Sequence, residues 1–412
     1  MKTQRTKLMA YLGLLAAFMV LSVFTQAQTT DTSTFKPSGH VTSQVFGDYY
    51  YKIHADSGNY HKGSTQYAGT SYPQNFSAFD LRRVYLGYDY DISRNFSASV
   101  TFAYEGDVDA KNDRIPYLKY ANITWKNIFK GSNLVVGAQK TIAFSLLEEN
   151  VWGYRSIEKT IMDMRGIAGS NDVGAALEGH FDNSSNYGYD VMISNGLGVV
   201  SDATINPTTA PLGANIFKKF SGDLWGKFAD QKLTVQLYGD YYRTQLQPYQ
   251  QSKATLKAFV AYQSKPITVG VSVFEQIQQN AAIKSIVPVP TVGSLNDTVS
   301  ATPFGLSIFV HGPIVKKLGF FARYDTWNAD DSYTTGDVYV AGANPITQAF
   351  IVGGLDYSPI KNVHFMPNIW VDTYSQAATS SLKSGNVVTT DYSGKKSSDN
   401  DIVLRLTFFW TL

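Results

Sequence analysis

Three features of the sequence predict an all-β fold, a transmembrane antiparallel β-barrel of about sixteen strands. Apolar and polar residues alternate in many segments, long connections alternate with short ones, and beyond residue 27 no apolar run approaches the ~20 residues that a spanning helix needs. Backbone polar groups within lipid must all be hydrogen-bonded, so strands that cross a membrane have to close into a barrel. Short periplasmic turns and long extracellular loops are typical of such barrels.

The composition excludes several other classes of protein. The 412 residues are 44% apolar, 14% aromatic and only 17% charged, which argues against a disordered chain. The absence of cysteine excludes disulfides, thiolate metal sites and cysteine nucleophiles. Because 35 basic and 33 acidic residues nearly balance, we expect no nucleic-acid partner.

The first residues have the order of properties of an export signal. Cations within the first seven residues precede an apolar run of about 16 residues, and small residues up to Ala27 end that run. A membrane anchor is the alternative, but the run is short for a spanning helix. We therefore predict a cleaved signal peptide at 1–27, a short polar segment at 28–38 and a single barrel at 39–412. Cleavage removes three cations and no acid, so the net charge changes from +2 to −1.

The period-two alternation is clearest at the C-terminus. Alternate positions from 402 to 412 are all apolar, whereas Arg405 and Thr407 lie between them, so this strand has one wholly apolar face. The segments that contain Phe259 and Phe274 alternate in the same way, with these two residues on the less apolar face. On this basis we predict sixteen strands, at about 39–54, 77–92, 95–108, 115–126, 132–141, 171–181, 186–195, 215–228, 231–243, 253–265, 266–277, 303–311, 318–327, 348–357, 363–373 and 400–412.

The connections and the strand ends support a membrane barrel. An even number of strands puts both termini at one end, together with the short turns. Tyrosine, phenylalanine and tryptophan cluster near predicted strand ends, as at Tyr88, Tyr90 and Trp410, which is typical of belts at the membrane surface. A buried aromatic core is the alternative, and the apolar C-terminal face argues against it. The long predicted loops are 55–76, 142–170, 196–214, 278–302, 328–347 and 374–399.

Four stretches between residues 75 and 195 occur in an order and spacing that suggest a family. They are 79–87 (FDLRRVYLG), 136–144 (VGAQKTIAF), 154–159 (YRSIEK) and 170–174 (SNDVG). Together they resemble the phosphate-selective porin O and P family of bacterial outer-membrane porins. The resemblance implies a sixteen-stranded barrel, a homotrimer, passive diffusion that is often of anions, and a third outer loop, about 142–170, that folds inward as a constriction.

The charged residues of the predicted lumen bear on selectivity, because rings of charge decide which ions a pore admits. The mature chain has nine arginines, few for a phosphate-selective pore of the resembled family, and strand parity puts Arg82 on the lipid face near the rim. The loop charges have two interpretations, ion pairs that hold the loop folded or groups that act in transport. The candidate pore residues are Arg83, Lys257, Arg323 and Arg405 on strands and Glu148, Glu149, Arg155, Glu158, Lys159 and Arg165 in the loop, which also holds Asp163.

No pattern of catalytic residues is evident in the sequence. The six histidines are scattered without metal-ligand spacing, so we expect no enzyme activity, no cofactor and no metal. We expect a pore for small hydrophilic solutes or ions, with at most a weak preference for phosphate-like anions; a surface enzyme or adhesin is the alternative. The expected partners are outer-membrane lipid, solutes or anions, the assembly machinery that binds the C-terminal strand, and further copies in a homotrimer.

Overall fold

One closed antiparallel sheet makes up almost all of the described protein. The computed structural model describes residues 35–55, 73–106, 113–196, 217–245, 251–285, 296–333, 338–341, 346–376, 380–384, 387–391 and 397–412. The predicted signal peptide, most of the polar segment that follows it, and parts of the predicted loops 55–76, 196–214, 278–302, 328–347 and 374–399 lie outside the described residues.

Sixteen strands of the described chain form the barrel, as predicted. They are β1 (Ser38–His54), β2 (Ser77–Asp91), β3 (Phe96–Tyr104), β4 (Tyr117–Phe129), β5 (Ser132–Lys140), β6 (Asn171–His180), β7 (Tyr187–Ser194), β8 (Lys219–Phe228), β9 (Leu233–Gln245), β10 (Gln251–Gln263), β11 (Thr268–Ser285), β13 (Phe304–Val315), β14 (Leu318–Asn328), β16 (Ile346–Ile360), β17 (Val363–Gln376) and β20 (Ser397–Thr411). Each pairs with its neighbours in chain order, and β1 pairs with β20 to close the barrel, with Gln44 opposite Thr411 and Tyr51 opposite Leu404.

Four further short strands extend the sheet where the sequence predicts loops. They are β12 (Asn296–Ala301), β15 (Val338–Ala341), β18 (Ser380–Ser384) and β19 (Val387–Asp391). β12 pairs with the end of β11, and β18 pairs with β19. β15 pairs with β11 and β19. These strands lie outside the predicted spanning segments, where no alternation of apolar residues marks a strand. Among the described residues, no helix is both long enough and apolar enough to span a membrane.

The two faces of the barrel differ as the alternation predicts. In β20, Leu404 and Leu406 are 45% and 44% exposed, whereas Arg405 between them is 6% exposed. The short turns, the start of β1 and the end of β20 lie at one end of the barrel, which we call the turn end. The strand ends that the long connections join lie at the other, which we call the loop end. Tyr88 and Tyr90 are exposed on the outer face near the turn end, and their rings stack at 6.1 Å. The apolar face therefore meets lipid, and the other face encloses the lumen.

Candidate functional site

The connection between β5 and β6, residues 141–170, packs against lumen-facing side chains of the barrel. It contains two short helices, α1 (Glu148–Trp152) and α2 (Ile161–Met164). Two acidic residues in the first turn of α1 suit the positive end of its dipole. Gly153 ends α1 in a left-handed conformation with φ of 68°, and its N–H donates to the Glu149 carbonyl oxygen at 3.0 Å. Only glycine adopts this conformation without steric cost, so the turn after α1 depends on it.

An apolar cluster fixes the middle of this loop. Trp152 is fully buried, its ring centroid lies 5.1 Å from that of Phe309, and its Nε1 donates to the carbonyl oxygen of Glu158 at 2.9 Å. Ile157 is fully buried in the same cluster. Burial of each large apolar side chain contributes about 1.5–3 kcal/mol. The barrel residues of this cluster are Tyr50, Phe259, Ala261, Phe309, Phe321, Phe350, Val352, Met366, Trp370 and Val403.

A second apolar cluster fixes both ends of the loop. Phe144 near its start and Ile161 in α2 are fully buried. They pack together with Met192 of β7, Tyr238 of β9 and Phe274 of β11. The barrel residues of the two clusters lie on β6–β20 and on the adjoining β1, so the loop closes that side of the lumen with apolar contacts.

Four arginines of the barrel wall, which we name the arginine clasp, donate hydrogen bonds to the backbone of the loop. Two carboxylates hold members of the clasp in place: Asp48 forms an ion pair with Arg82, and Asp325 binds Arg323 through two hydrogen bonds of 2.8 and 2.5 Å. These cations therefore stabilise the docked loop. The acceptors are the carbonyl oxygens of Arg155 (from Arg83, 3.4 Å), Ser156 (from Arg82), Ile157 (from Arg405, 3.4 Å) and Lys159 (from Arg323, 2.5 Å).

A buried lysine anchors the start of the loop. Lys257 Nζ lies 2.5 Å from Glu148 Oε2 and donates to the carbonyl oxygen of Ala143 at 2.6 Å. Both charged side chains are almost completely buried. At the other end of the loop, Arg165 Nη1 lies 3.7 Å from Asp372 Oδ2. These contacts favour the first interpretation of the loop charges, ion pairs that hold the loop folded.

Arg155 connects the loop to the wall formed by β1–β5. Its Nη1 lies 2.5 Å from Glu149 Oε2 and 3.1 Å from Asp163 Oδ2, and its Nη2 lies 3.8 Å from Glu105 Oε1 beyond the end of β3. Burial raises the pKa of Asp163, but the nearby Lys159 and Arg155 lower it more, so it falls below its usual value. The charged groups at this junction are therefore matched by groups of opposite sign.

The structure shows that the predicted lipid-facing position of Arg82 is wrong. Its guanidinium is buried in the lumen against Asp48 and the loop. In the pairing of β1 with β2, Phe46 lies opposite Arg83 and Gly47 lies opposite Leu81, so Arg82 is an extra residue in a β-bulge. A bulge breaks the alternation of side chains and turns two consecutive residues to one face.

A second β-bulge turns Lys119 into the lumen. This residue is not among the candidates predicted from the sequence. In the pairing of β3 with β4, Thr101 lies opposite Tyr120 and Phe102 lies opposite Leu118, which leaves Lys119 as the extra residue. Lys119 is buried, and its Nζ lies 2.7 Å from Glu105 Oε1. The sequence does hold a signal for this position, because Lys119 is a cation next to an aromatic residue, Tyr120, in an amphipathic strand.

A cavity of about 620 Å³ with both polar and apolar lining residues lies between the loop and the wall formed by β20 and β1–β5. Thr101 lines it from the wall, and Asn150 lines it from the loop. Its lining extends from Thr411, the last residue of β20 at the turn end, to Lys140, the last residue of β5 at the loop end. The cavity therefore follows most of the height of this wall and is the candidate passage.

No protein-family model and no curated protein matches the sequence. Solved structures match its fold. An anion-selective porin from Comamonas acidovorans has a TM-score of 0.57 at 9% identity, over 92% of this chain and 100% of that one. The outer membrane channel DcaP of Acinetobacter baumannii has a TM-score of 0.56 at 12% identity, over 92% and 99%. Salmonella typhi OmpF in complex with daunomycin has a TM-score of 0.54 at 12% identity, over 91% and 97%.

This chain has the fold of the outer-membrane porins. Identities of 9–12% establish the architecture and leave the solute open. The narrower resemblance to phosphate-selective porins stays a proposal, because it rests on the four sequence stretches alone. Of those stretches, 79–87 contains the bulge at Arg82, and 154–159 contains all four carbonyl acceptors of the clasp.

Glu158 gives the docked loop a dependence on pH. It is fully buried, and burial raises its pKa to about 7, although Arg405 and Arg323 act to lower it. Because docking favours the protonated form, docking is strongest below the ordinary pKa of 4.5 and weakens as pH rises through about 7, by about 3 kcal/mol. Current fluctuations in planar bilayers should therefore increase between pH 5 and pH 8.

Glu158→Gln should remove this dependence on pH, since glutamine is uncharged throughout the range. Glu275→Gln, at an exposed position of β11, is the matched control and should keep it. Equal pH dependence in the wild-type protein and in Glu158→Gln would contradict the prediction.

Proposed function

We propose that the protein is an outer-membrane channel for passive diffusion of small hydrophilic solutes. The observation that carries this proposal is the cavity along β20 and β1–β5 inside a closed sixteen-stranded barrel. Barrels of this strand number enclose an aqueous channel, whereas smaller barrels are filled by side chains. The porin fold of the neighbours supports the same conclusion. In this function the loop 142–170 is the constriction, and the protein acts as a pore without enzymatic chemistry.

The channel that we propose has weak or no preference for anions. A phosphate-selective pore needs cations whose donors face the solute. In this chain the donors of the arginine clasp are directed to loop carbonyls, and Lys257 binds Glu148. The phosphate preference that the family resemblance implies is therefore not part of the proposal.

The channel would reach the outer membrane by export and assembly, and would function there as an oligomer. The signal peptide at 1–27 would direct export, and the outward apolar face of β20 would be recognised by the assembly machinery before the barrel meets lipid. Three copies would associate, as the family resemblance implies.

Conductance in planar lipid bilayers tests the proposal. The purified protein should give stepwise openings, and its reversal potential in a potassium chloride gradient should lie close to zero. A silent bilayer, with barrel folding verified by heat-dependent electrophoretic mobility, would overturn the proposal of a pore. A strong anion reversal potential with block by phosphate would overturn the proposed lack of selectivity.

A further inference from the structure

Two of the cations that line the cavity are paired with carboxylates of the protein. Lys119 Nζ lies 2.7 Å from Glu105, and Arg155 Nη1 lies 2.5 Å from Glu149. Asp89 accepts a hydrogen bond from Ser99 Oγ at 2.6 Å. A solute ion would have to compete with the partners of Lys119 and Arg155. The other two charged residues of this lining, Asp89 and Lys140, have opposite signs, so the described lining has no ring of one charge that would select an ion.

Uncharged hydroxyl and amide groups dominate the rest of the polar lining. A hydroxyl both donates and accepts, and an amide does so through separate atoms, so these side chains can bind groups that are themselves donors and acceptors. A carboxylate group accepts hydrogen bonds only, and it would leave the acceptor capacity of this lining unused. Five such residues are Thr42, Gln44, Thr101, Asn150 and Ser156.

Aromatic rings lie on the same wall as these polar groups. The ring centroid of Phe46 lies 5.6 Å from that of Tyr85 and 5.2 Å from that of Phe409, and all three residues line the cavity. The lining is thus a mixed surface, with apolar ring faces beside hydrogen-bonding groups. Sugars and related polyols have this combination, because their C–H faces are apolar and their rims carry hydroxyl groups.

We infer that the cavity selects uncharged, polyhydroxylated solutes of about the size of a monosaccharide or disaccharide. The volume of about 620 Å³ lies within the range of pockets that hold small molecules. This inference rests on the proposed channel function and specifies its substrate class. The paired cations and the absence of a ring of one charge in the described lining give no preference to ions of either sign, and the mixed polar and aromatic wall favours the sugar class over uncharged solutes without hydroxyl groups.

Uptake of three labelled solutes into proteoliposomes tests the inference. Glucose, gluconate and glucosamine share a six-carbon skeleton but are neutral, anionic and cationic. Glucose should enter fastest, and saturating glucose should reduce the ion current through single channels. Faster entry of gluconate or glucosamine would overturn the inference while leaving the channel function intact. Entry of none of the three, with no conductance, would overturn the channel function itself.

A pair of variants at one position links this preference to the cavity. Thr101 faces the cavity from β3, opposite Gly87, which has no side chain. Thr101→Arg should reverse the order, so that gluconate enters faster than glucose, and the isosteric Thr101→Val should keep the wild-type order. If folded Thr101→Arg retains the wild-type order, the solute does not pass this cavity and the inference is wrong.

Discussion

Replacement of Trp152 by alanine should increase single-channel conductance and make the current noisier. Trp152 is fully buried between the loop and the wall, where it contacts Phe309 and lies under the Arg323 guanidinium at 5.6 Å. Truncation of a buried tryptophan costs about 3–5 kcal/mol, through lost contacts and the cavity that remains. The barrel closes through its own strand pairing, so this cost falls mainly on docking of the loop.

Trp125→Ala is the matched control for this experiment. Trp125 lies on β4 near the turn end and packs beside Phe96, with ring centroids 5.4 Å apart, away from the loop. The same truncation there should leave the conductance unchanged. Limited proteolysis gives a second measurement, because an undocked loop should be cut between 141 and 170 faster in Trp152→Ala than in the wild-type protein. Wild-type conductance in a folded Trp152→Ala channel would show that the tryptophan does not hold the loop.

The barrel could be predicted from the sequence because lipid imposes a strong constraint. One face of every spanning strand must be apolar. In a segment such as β20, the alternation therefore predicts both that a strand is present and which of its faces meets lipid. The extra strands β12, β15, β18 and β19 lie outside the predicted spanning segments, where this constraint does not act. The sequence therefore predicts the sixteen spanning strands and misses these four.

The partners of lumen-facing aromatic residues could not be predicted in the same way. Alternation puts Phe259 and Phe274 on the inner face, where water would make such residues unfavourable. The structure covers both with the loop, Phe259 with the cluster around Trp152 and Phe274 with the cluster around Ile161. Which loop covers which residue depends on contacts between segments more than a hundred residues apart, and strand periodicity holds no such information.

Bulges set the other limit on prediction from sequence. Strict parity would put either Arg82 or Arg83 in lipid, at a cost of roughly 2–4 kcal/mol near the bilayer centre. That conflict is itself a signal that the alternation breaks at this point. With a bulge allowed, both arginines become lumen residues, and the pair in 79–87 gains a structural explanation, since each binds a different carbonyl of the loop.

Removal of the ammonium group of Lys52 should weaken closure of the barrel. Lys52 Nζ of β1 lies 2.7 Å from Asp401 Oδ1 of β20, and both side chains are completely buried. These are the first and last strands, so the pair crosses the seam where the sheet closes. Lys52→Met leaves the Asp401 carboxylate buried without that ammonium group, and breaking a buried pair from one side costs about 3–5 kcal/mol. The temperature at which the folded band disappears in electrophoresis should fall.

Two comparisons separate closure of the seam from a general effect of lost charge. Lys126 lies 2.5 Å from Asp91 with side chains 35% and 48% exposed, so Lys126→Met removes an equally close but solvated pair and should cost less than about 1 kcal/mol. In the double variant Lys52→Met with Asp401→Asn, no uncompensated charge stays buried, so much of the lost stability should return. Equal destabilisation by Lys52→Met and Lys126→Met would contradict the prediction, because the cost would then follow from the loss of any ion pair. A large difference would mean that the cost comes from a charge left buried at the seam between β1 and β20, and not from the loss of an ion pair as such.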